Sequence, residues 1–417
     1  MHTEAIDTSN LARKITTTLF LAQSLASAGF IAVATVSSIV GAELSGNMAF
    51  AGLPSAVYLF GSALAAPVLG VVMDRAGRRA GLSLGLLLGI AGAGLAAKSI
   101  IDSSFPVFLS AMVLMGVAQS AVQLGRFAAA EVHPPAQRGR AISNVVIGGA
   151  IGSVLGPLLV GPSGQLSRQV GVDELAGPFV ISLILFLLAS LVIFLRLRPD
   201  PRELGSAISR LYPSSASDQG PARALSVIFR QPAPLAALAA MVFGQVVMVM
   251  LMVITALHMQ QHQHMLTDIS LVISSHTFGM FAFSIFSGRL ADRWGREPVI
   301  LTGVGTLILA CLAAPLSPDV LPLAAALFLL GLGWNFCYVG GSSLLADHLR
   351  TTERARAQGF NDLLIGLVSA IGSLGSGFLF AALGFGLMAV VGVIFAFVPL
   401  VITLWWLVRR GRLALAK

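Results

Sequence analysis

The feature that most constrains this chain is a succession of long apolar runs, each near the length needed to cross a bilayer, separated by short stretches of Gly, Pro and charge. A membrane-spanning helix takes about 20 apolar residues. Twelve such runs can be drawn, at 16–40, 48–72, 80–98, 105–130, 141–162 and 177–196, then 232–257, 269–288, 298–314, 319–346, 359–382 and 384–408. Only 11% of the 417 residues are charged and 56% are hydrophobic, whereas a soluble domain carries roughly 25% charged residues. The reading is an all-α membrane protein of twelve transmembrane helices in two pseudo-symmetric six-helix bundles. The bundles are residues 1–196 and 232–417, joined by a linker at 197–231 that is rich in Pro, Ser and Arg. A soluble enzyme is excluded, and no nucleophile, base and orienting group recur at an interpretable spacing. The first fifteen residues are polar, so no cleavable signal peptide is evident.

A net charge of +8 could mark a nucleic-acid binder, but such proteins gather basic residues on a hydrated face. Here the charge follows topology. All Lys and Arg except Lys98 and Arg168 fall in the amino-terminal segment, every second loop, the linker or the carboxy-terminal tail, or at the span ends that border them, as Arg126 and Arg196 do. By the positive-inside rule that side is cytoplasmic, which places both termini there and makes the lipid bilayer, not a nucleic acid, the partner of the surface.

The loop after the second run reads GVVMDRAGRR and the loop after the eighth reads GRLADRWGRE. Both contain Gly-x-x-x-Asp-Arg-x-Gly-Arg, at an offset of 218 residues between Asp74 and Asp292. QRGRA at 137–141 recurs as ERARA at 353–357, and Ile-Gly-Ser at 151 recurs at 371. Three near-equal offsets indicate a duplicated six-helix unit. On these motifs the whole chain resembles the major facilitator superfamily. That resemblance implies a transporter whose substrate site lies between two halves that rock to expose it alternately. It also implies a cytoplasmic gate at Gly70, Asp74, Arg75, Gly77, Arg78 and, in the second copy, Gly288, Asp292, Arg293, Gly295, Arg296. Gly70 and Gly288 are expected to permit close helix approach. The two aspartates are expected to pair with Arg from adjacent loops or to sit at a helix amino-terminus.

Polar groups within hydrocarbon default to functional candidates, and no Asp or Glu falls in the middle of a span. Met and His are distributed otherwise. Seven of thirteen Met and four of seven His lie between Met241 and Met280. Met248 and Met252 are one helical turn apart on the seventh span, as are His276 and Met280 on the eighth, so each pair shares a face. Counting outward and back at about 1.5 Å per residue puts Met252 level with His276 and Met248 level with Met280. Two neighbouring spans would then present three thioethers and one imidazole to a common volume. Thioethers are soft ligands that suit Cu(I), while hard divalent ions require oxygen ligands. The connecting loop, with His258, Met259, His262 and His264, is placed to capture copper at the outer mouth. Copper is thus expected as transported substrate, with no permanently bound cofactor.

M-x-x-x-M at 248–252 and H-x-x-x-M at 276–280, with HMxxHxH between them, resemble the CcoA-like copper importers of bacteria. The resemblance implies copper uptake across the inner membrane for cytochrome c oxidase assembly; a monomer with a cytoplasmic copper acceptor as partner is expected alongside it. Met248, Met252, His276 and Met280 would be the motif residues. The wider family includes members that handle riboflavin-like compounds, so import of such an organic molecule is a rival reading, to which Trp334, Phe336 and Tyr338 could contribute stacking. A second rival is a proton-coupled drug exporter, favoured by GSVLGP at 152–157 but opposed by Met112 where such exporters keep an Arg. Cys311 and Cys337 sit at different depths and are not expected to form a disulfide. Cys337 is a candidate for a deeper copper relay.

Overall fold

The computed structural model describes residues 2–134, 137–211 and 223–415. Among them it is helical throughout, with no strand: α1 His2–Ser45, α2 Leu53–Ala76, α3 Arg78–Ile101, α4 Phe105–Glu131, α5 Arg138–Leu158, α6 Val160–Gln169, α7 Gly177–Arg196 and α8 Pro201–Leu211, then α9 Leu225–Phe229, α10 Pro232–Gln261, α11 Leu266–Phe281, α12 Ser284–Trp294, α13 Arg296–Ala313, α14 Val320–Asp347 and α15 Thr351–Leu415. Eleven stretches are long and apolar enough to cross a membrane. The count falls one short of twelve because the last two expected spans run on within α15, which turns at Gly384 (φ 73°, ψ 175°), a conformation open essentially only to glycine. The eighth span is interrupted instead. It consists of α11 and α12, with Ala282 and Phe283 between them. Part of the expected linker, 212–222, lies outside the described residues.

Each helix has the two-faced character that lipid demands. On α7, Ser182, Phe186, Ala189 and Ile193 are fully buried, while Leu187, Leu191 and Phe194 on the other side are exposed. An exposed apolar face belongs against acyl chains, where unpaired polar groups would be costly. Several hydroxyls within the spans are satisfied by their own helices. Thr35 donates to the Ile31 carbonyl at 2.8 Å, Ser37 to Val33 at 2.7 Å and Thr255 to Leu251 at 2.8 Å.

The helices form two compact units, residues 1–46 with 57–216, and 47–56 with 217–417. In the first, α1 packs on α5 and α7, and α3 on α4 and α7. Gly148, Gly152 and Gly156, each one turn from the next, lay α5 directly on the α1 backbone; a Cβ on Gly152 would stand 2.0 Å from the Ser24 carbonyl oxygen. Small residues at such a spacing are a general device for helix contact in membranes. In the second unit α14 is central, in contact with α10, α11, α12 and α13, while α10 also packs on α15. The short segment 47–56 packs on α15 in this second unit. Its Gly52 carbonyl accepts a hydrogen bond from Ser373 at 3.0 Å, and Phe50 meets Phe378 edge-on at 6.1 Å.

Candidate functional site

The H-x-x-x-M turn of α11 is built against one face of α14. His276 is fully buried, and its Nδ1 lies 3.0 Å from the Leu327 carbonyl oxygen. Because a carbonyl only accepts, Nδ1 carries the proton and Nε2 keeps its lone pair. That Nε2 is buried and has no hydrogen-bond partner among the described residues, thioether sulfur included. One turn along α14 from Leu327, Gly331 lets the backbones close in; a Cβ there would stand 2.2 Å from the His276 carbonyl oxygen. A further turn along, the buried Asn335 donates to the Met280 carbonyl at 2.6 Å and to Ser284 Oγ at 2.9 Å, and accepts from Ser287. Asn335 thus ties both sides of the interruption between α11 and α12. Leu327, Gly331 and Asn335 share one helix face and fix the ring of His276 and the backbone of Met280.

Met248 is buried and Met252 and Met280 are half-buried. The expected direct pairing of the seventh and eighth spans is not how the helices lie. α10 touches α11 only lightly, and α14 is the main neighbour they share. Hydrophobic periodicity gives each residue's face but not which helix it meets.

Beside this turn lies a network that contains Trp334 and Tyr338, expected from the sequence as stacking residues, and adds Gln245 and Ser369, which the sequence reading passed over. Trp334 Nε1 donates to Gln245 Oε1 at 2.7 Å, and Gln245 Nε2 donates to Ser369 Oγ at 2.9 Å, linking α14, α10 and α15. The Trp334 and Tyr338 rings stack with centroids 5.0 Å apart and planes 19° from parallel. Phe336 faces elsewhere, packed with Ala291 and Val299, since it is two residues from Trp334 on a helix. The signal that could have found this network was Gln245, an amide in the apolar middle of the seventh span.

The outer histidines separate. His258 stacks face-on against Phe385, centroids 4.1 Å apart at 5°, and His262 stands against it at 4.5 Å. His264 instead turns toward Asp268, at 3.9 Å, and Met259 is fully buried rather than set at the mouth, because its place on α10 points inward. Both cysteines are free and buried. Cys337 donates to the Ile300 carbonyl at 3.9 Å.

At the first copy of the repeated loop, Arg78 donates to Asp74 at 2.7 Å and to both carboxylate oxygens of Glu131, at 2.9 and 2.5 Å. Asp200 accepts from the backbone N–H of Arg78 at 3.1 Å and of Arg79 at 3.0 Å, and the exposed Arg75 offers its carbonyl to Arg202 at 3.1 Å. At the second copy Arg296 pairs with Asp292 at 3.1 Å and with one oxygen of Asp347 at 3.0 Å, while Arg293 is exposed. The aspartates therefore pair across their own turn. Gly70 and Gly288 do not mediate close approach, since a Cβ on either meets nothing within 4 Å. The motif glycines that are required are Gly77 (φ 95°, ψ 159°) and Gly295 (φ 97°, ψ 164°), which turn the chain between helices in a conformation side chains exclude.

This geometry agrees with what the chain resembles. Residues 19–266 and 248–416 each match the Major Facilitator Superfamily. The chain is 35% identical over 395 residues to the uncharacterized transporter YdeG of Bacillus subtilis, covering 94% of this chain and 91% of that protein. It is 32% identical over 355 residues to the riboflavin transporter RfnT of Brucella anthropi, covering 85% and 86%. Among solved structures, a bacterial homolog of the human lysosomal transporter Spinster shares its fold at a TM-score of 0.71 with 17% identity, over 95% of this chain and 97% of that one. The nucleoside transporter NupG does so at 0.69 with 16% identity, over 96% and 98%. With two matches that together cover nearly the whole chain, two helical units and a duplicated loop, the chain belongs to the major facilitator superfamily of membrane transporters.

Proposed function

We propose that this transporter imports copper into the cytoplasm across a bacterial inner membrane, with both termini cytoplasmic, and so supplies cytochrome c oxidase assembly through a cytoplasmic acceptor. The observation that carries this reading is His276. A metal-ligating histidine characteristically donates its other ring N–H to a carbonyl, as His276 does to Leu327. The remaining nitrogen is a buried, unpartnered lone pair, which is rare in folded proteins and suits an electron-pair acceptor. Among the described residues no three His, Cys, Asp or Glu side chains converge. On this reading the further donors are Met280, Met248 and Met252, brought to His276 during the transport cycle, a soft and neutral set that favours Cu(I) and releases it readily.

The test is radioactive copper uptake by cells expressing wild type, Met248→Ala, Met252→Ala, His276→Ala or Met280→Ala at equal membrane abundance. A fall of about tenfold or more is expected for His276→Ala; equal uptake in all five strains would sink the reading.

A second reading, import of a planar organic molecule such as riboflavin, is favoured by the stacked Trp334 and Tyr338 and the Gln245 amide beside them, and by the riboflavin transporter relative. It predicts riboflavin uptake that falls in Trp334→Ala and is unchanged in His276→Ala. Drug export loses its motive, because the glycines of α5 are accounted for by contact with α1.

A further inference from the structure

The end of α10, Pro315 and Pro318 in the stretch after α13, and the turn of α15 around Gly384 surround a cavity of about 400 Å³, lined among others by Met48, His258, Gln261, His262, Phe380 and Phe385, all within the second unit. We propose that this cavity is a separate receiving site for a soft monovalent metal ion, held by the imidazoles of His258 and His262 and the thioether of Met48. The proposal rests on the copper reading and adds to it a site that precedes His276.

His258 and His262 are one turn apart at the end of α10, with ring centroids 4.5 Å apart. A His-bound ion sits about 2 Å from its ring nitrogen, so one ion can reach both. The rings are already oriented. His258 is held flat against Phe385, and His262 Nδ1 lies 2.9 Å from the His258 carbonyl oxygen, which leaves Nε2 of His262 as the electron-pair donor.

Met48 is delivered by the segment 47–56. Asn47 accepts from the Ala49 N–H at 2.9 Å and so starts the short helical turn that carries Met48. The Met48 sulfur lies 3.1 Å from Gln261 Nε2, next in sequence to His262. Among the described residues no carboxylate lines the cavity, which disfavours hard divalent ions, and two imidazoles with a thioether suit Cu(I). The volume exceeds that of a bare ion, so an ion arriving with part of its solvent shell can be admitted and then stripped by the three donors. His264, turned toward Asp268, is not a ligand of this site.

The experiment is calorimetric titration of the purified full-length protein with Ag(I), a redox-inert stand-in for Cu(I), for wild type, Met48→Leu, His258→Ala/His262→Ala and His276→Ala. The expected result is two bound ions in wild type and one in the double variant. His276→Ala should likewise retain one, and Met48→Leu, which keeps side-chain volume, should weaken the outer ion about tenfold or more with an unchanged circular dichroism spectrum. Unaltered stoichiometry and affinity in both outer variants overturns the proposal. A single wild-type ion that is lost in His276→Ala and kept in the outer variants also overturns it and leaves the importer reading standing. An ion lost only in the outer variants supports this site and counts against His276.

Discussion

The two copies of the Gly-x-x-x-Asp-Arg-x-Gly-Arg loop share a backbone and differ in what holds it. Gly77 and Gly295 adopt nearly the same dihedrals, and Arg78 and Arg296 each reach back four residues to an aspartate and across to a carboxylate at the end of a neighbouring helix. The first copy adds two restraints. Glu131 engages Arg78 through both oxygens, and Asp200 caps the start of α3. The second copy has a single oxygen of Asp347 on Arg296.

At the other repeated motif the order reverses. Gln137 makes no capping bond at the start of α5. Its counterpart Glu353 is buried and accepts two side-chain bonds from Arg223, at 2.8 and 2.7 Å, together with the N–H groups of Arg223 and Arg350. Duplication has thus preserved the turn that the chain must make, while each unit settled its own anchor on the side of the repeated loops.

The largest effect is expected from Gly77→Ala. The conformation excludes a side chain at a cost of about 2 kcal/mol, and the new Cβ would stand 2.5 Å from Asp200 Oδ2, which adds about 2 kcal/mol of overpacking. Gly295→Ala meets the same backbone penalty but only ordinary contacts, at 3.7 Å and beyond. Unfolding of the detergent-solubilised proteins should therefore show Gly77→Ala losing about twice as much stability. Equal losses would mean that Asp200 yields without cost.

Next comes Glu353→Gln, which gives the second unit the first unit's residue. Leaving Arg223 without its buried partner should cost about 3 kcal/mol at pH 7. The hydrogen bonds from Arg223 hold the Glu353 carboxyl well below the usual carboxylate range. A depressed folded pKa means that the stabilisation is fully present above the unfolded value of about 4.3 and is lost only as pH falls toward the folded one. The wild-type advantage over Glu353→Gln should therefore be the same at pH 7 and pH 5.5 and shrink only under stronger acid. An advantage that already fades by pH 5.5 would place the anchor elsewhere.

Arg78→Lys and Arg296→Lys form a smaller contrast. Lysine cannot reproduce a two-pronged contact, so the first should cost about 2 kcal/mol and the second under about 1 kcal/mol, read in the same unfolding assay. Similar values would show that the second oxygen of Glu131 contributes little.

Much of this architecture is written in the sequence. Apolar run length and the two repeated motifs establish the helical class and the duplication, because these depend on local composition and register. What the sequence does not carry is which helix a given face meets. The positions of Met248 and His276 on their helices follow from spacing, yet only the structure shows α14 as the helix against which both α10 and α11 pack. Likewise Gly70 and Gly77 are alike on paper, and the positive φ of Gly77 tells them apart. The interruption at Ala282 and Phe283 depends on Asn335, 52 residues beyond Phe283, a distance over which no periodicity extends.

Asp200→Asn should have the smallest effect, about 1 kcal/mol, through loss of a charge at the start of α3 and of one acceptor oxygen. Its value lies in combination. If the excess penalty at Gly77 over Gly295 arises from Asp200, then in an Asp200→Gly background Gly77→Ala should cost no more than Gly295→Ala does in the wild type. A double-mutant cycle would then return a coupling of about 2 kcal/mol between two residues that touch only through the missing Cβ. A coupling near zero would assign the difference between the two turns to Glu131 alone. Asp200 would then cap α3 without restricting what Gly77 can become, and the asymmetry between the units would reduce to one carboxylate that grips its arginine with two oxygens where the other uses one.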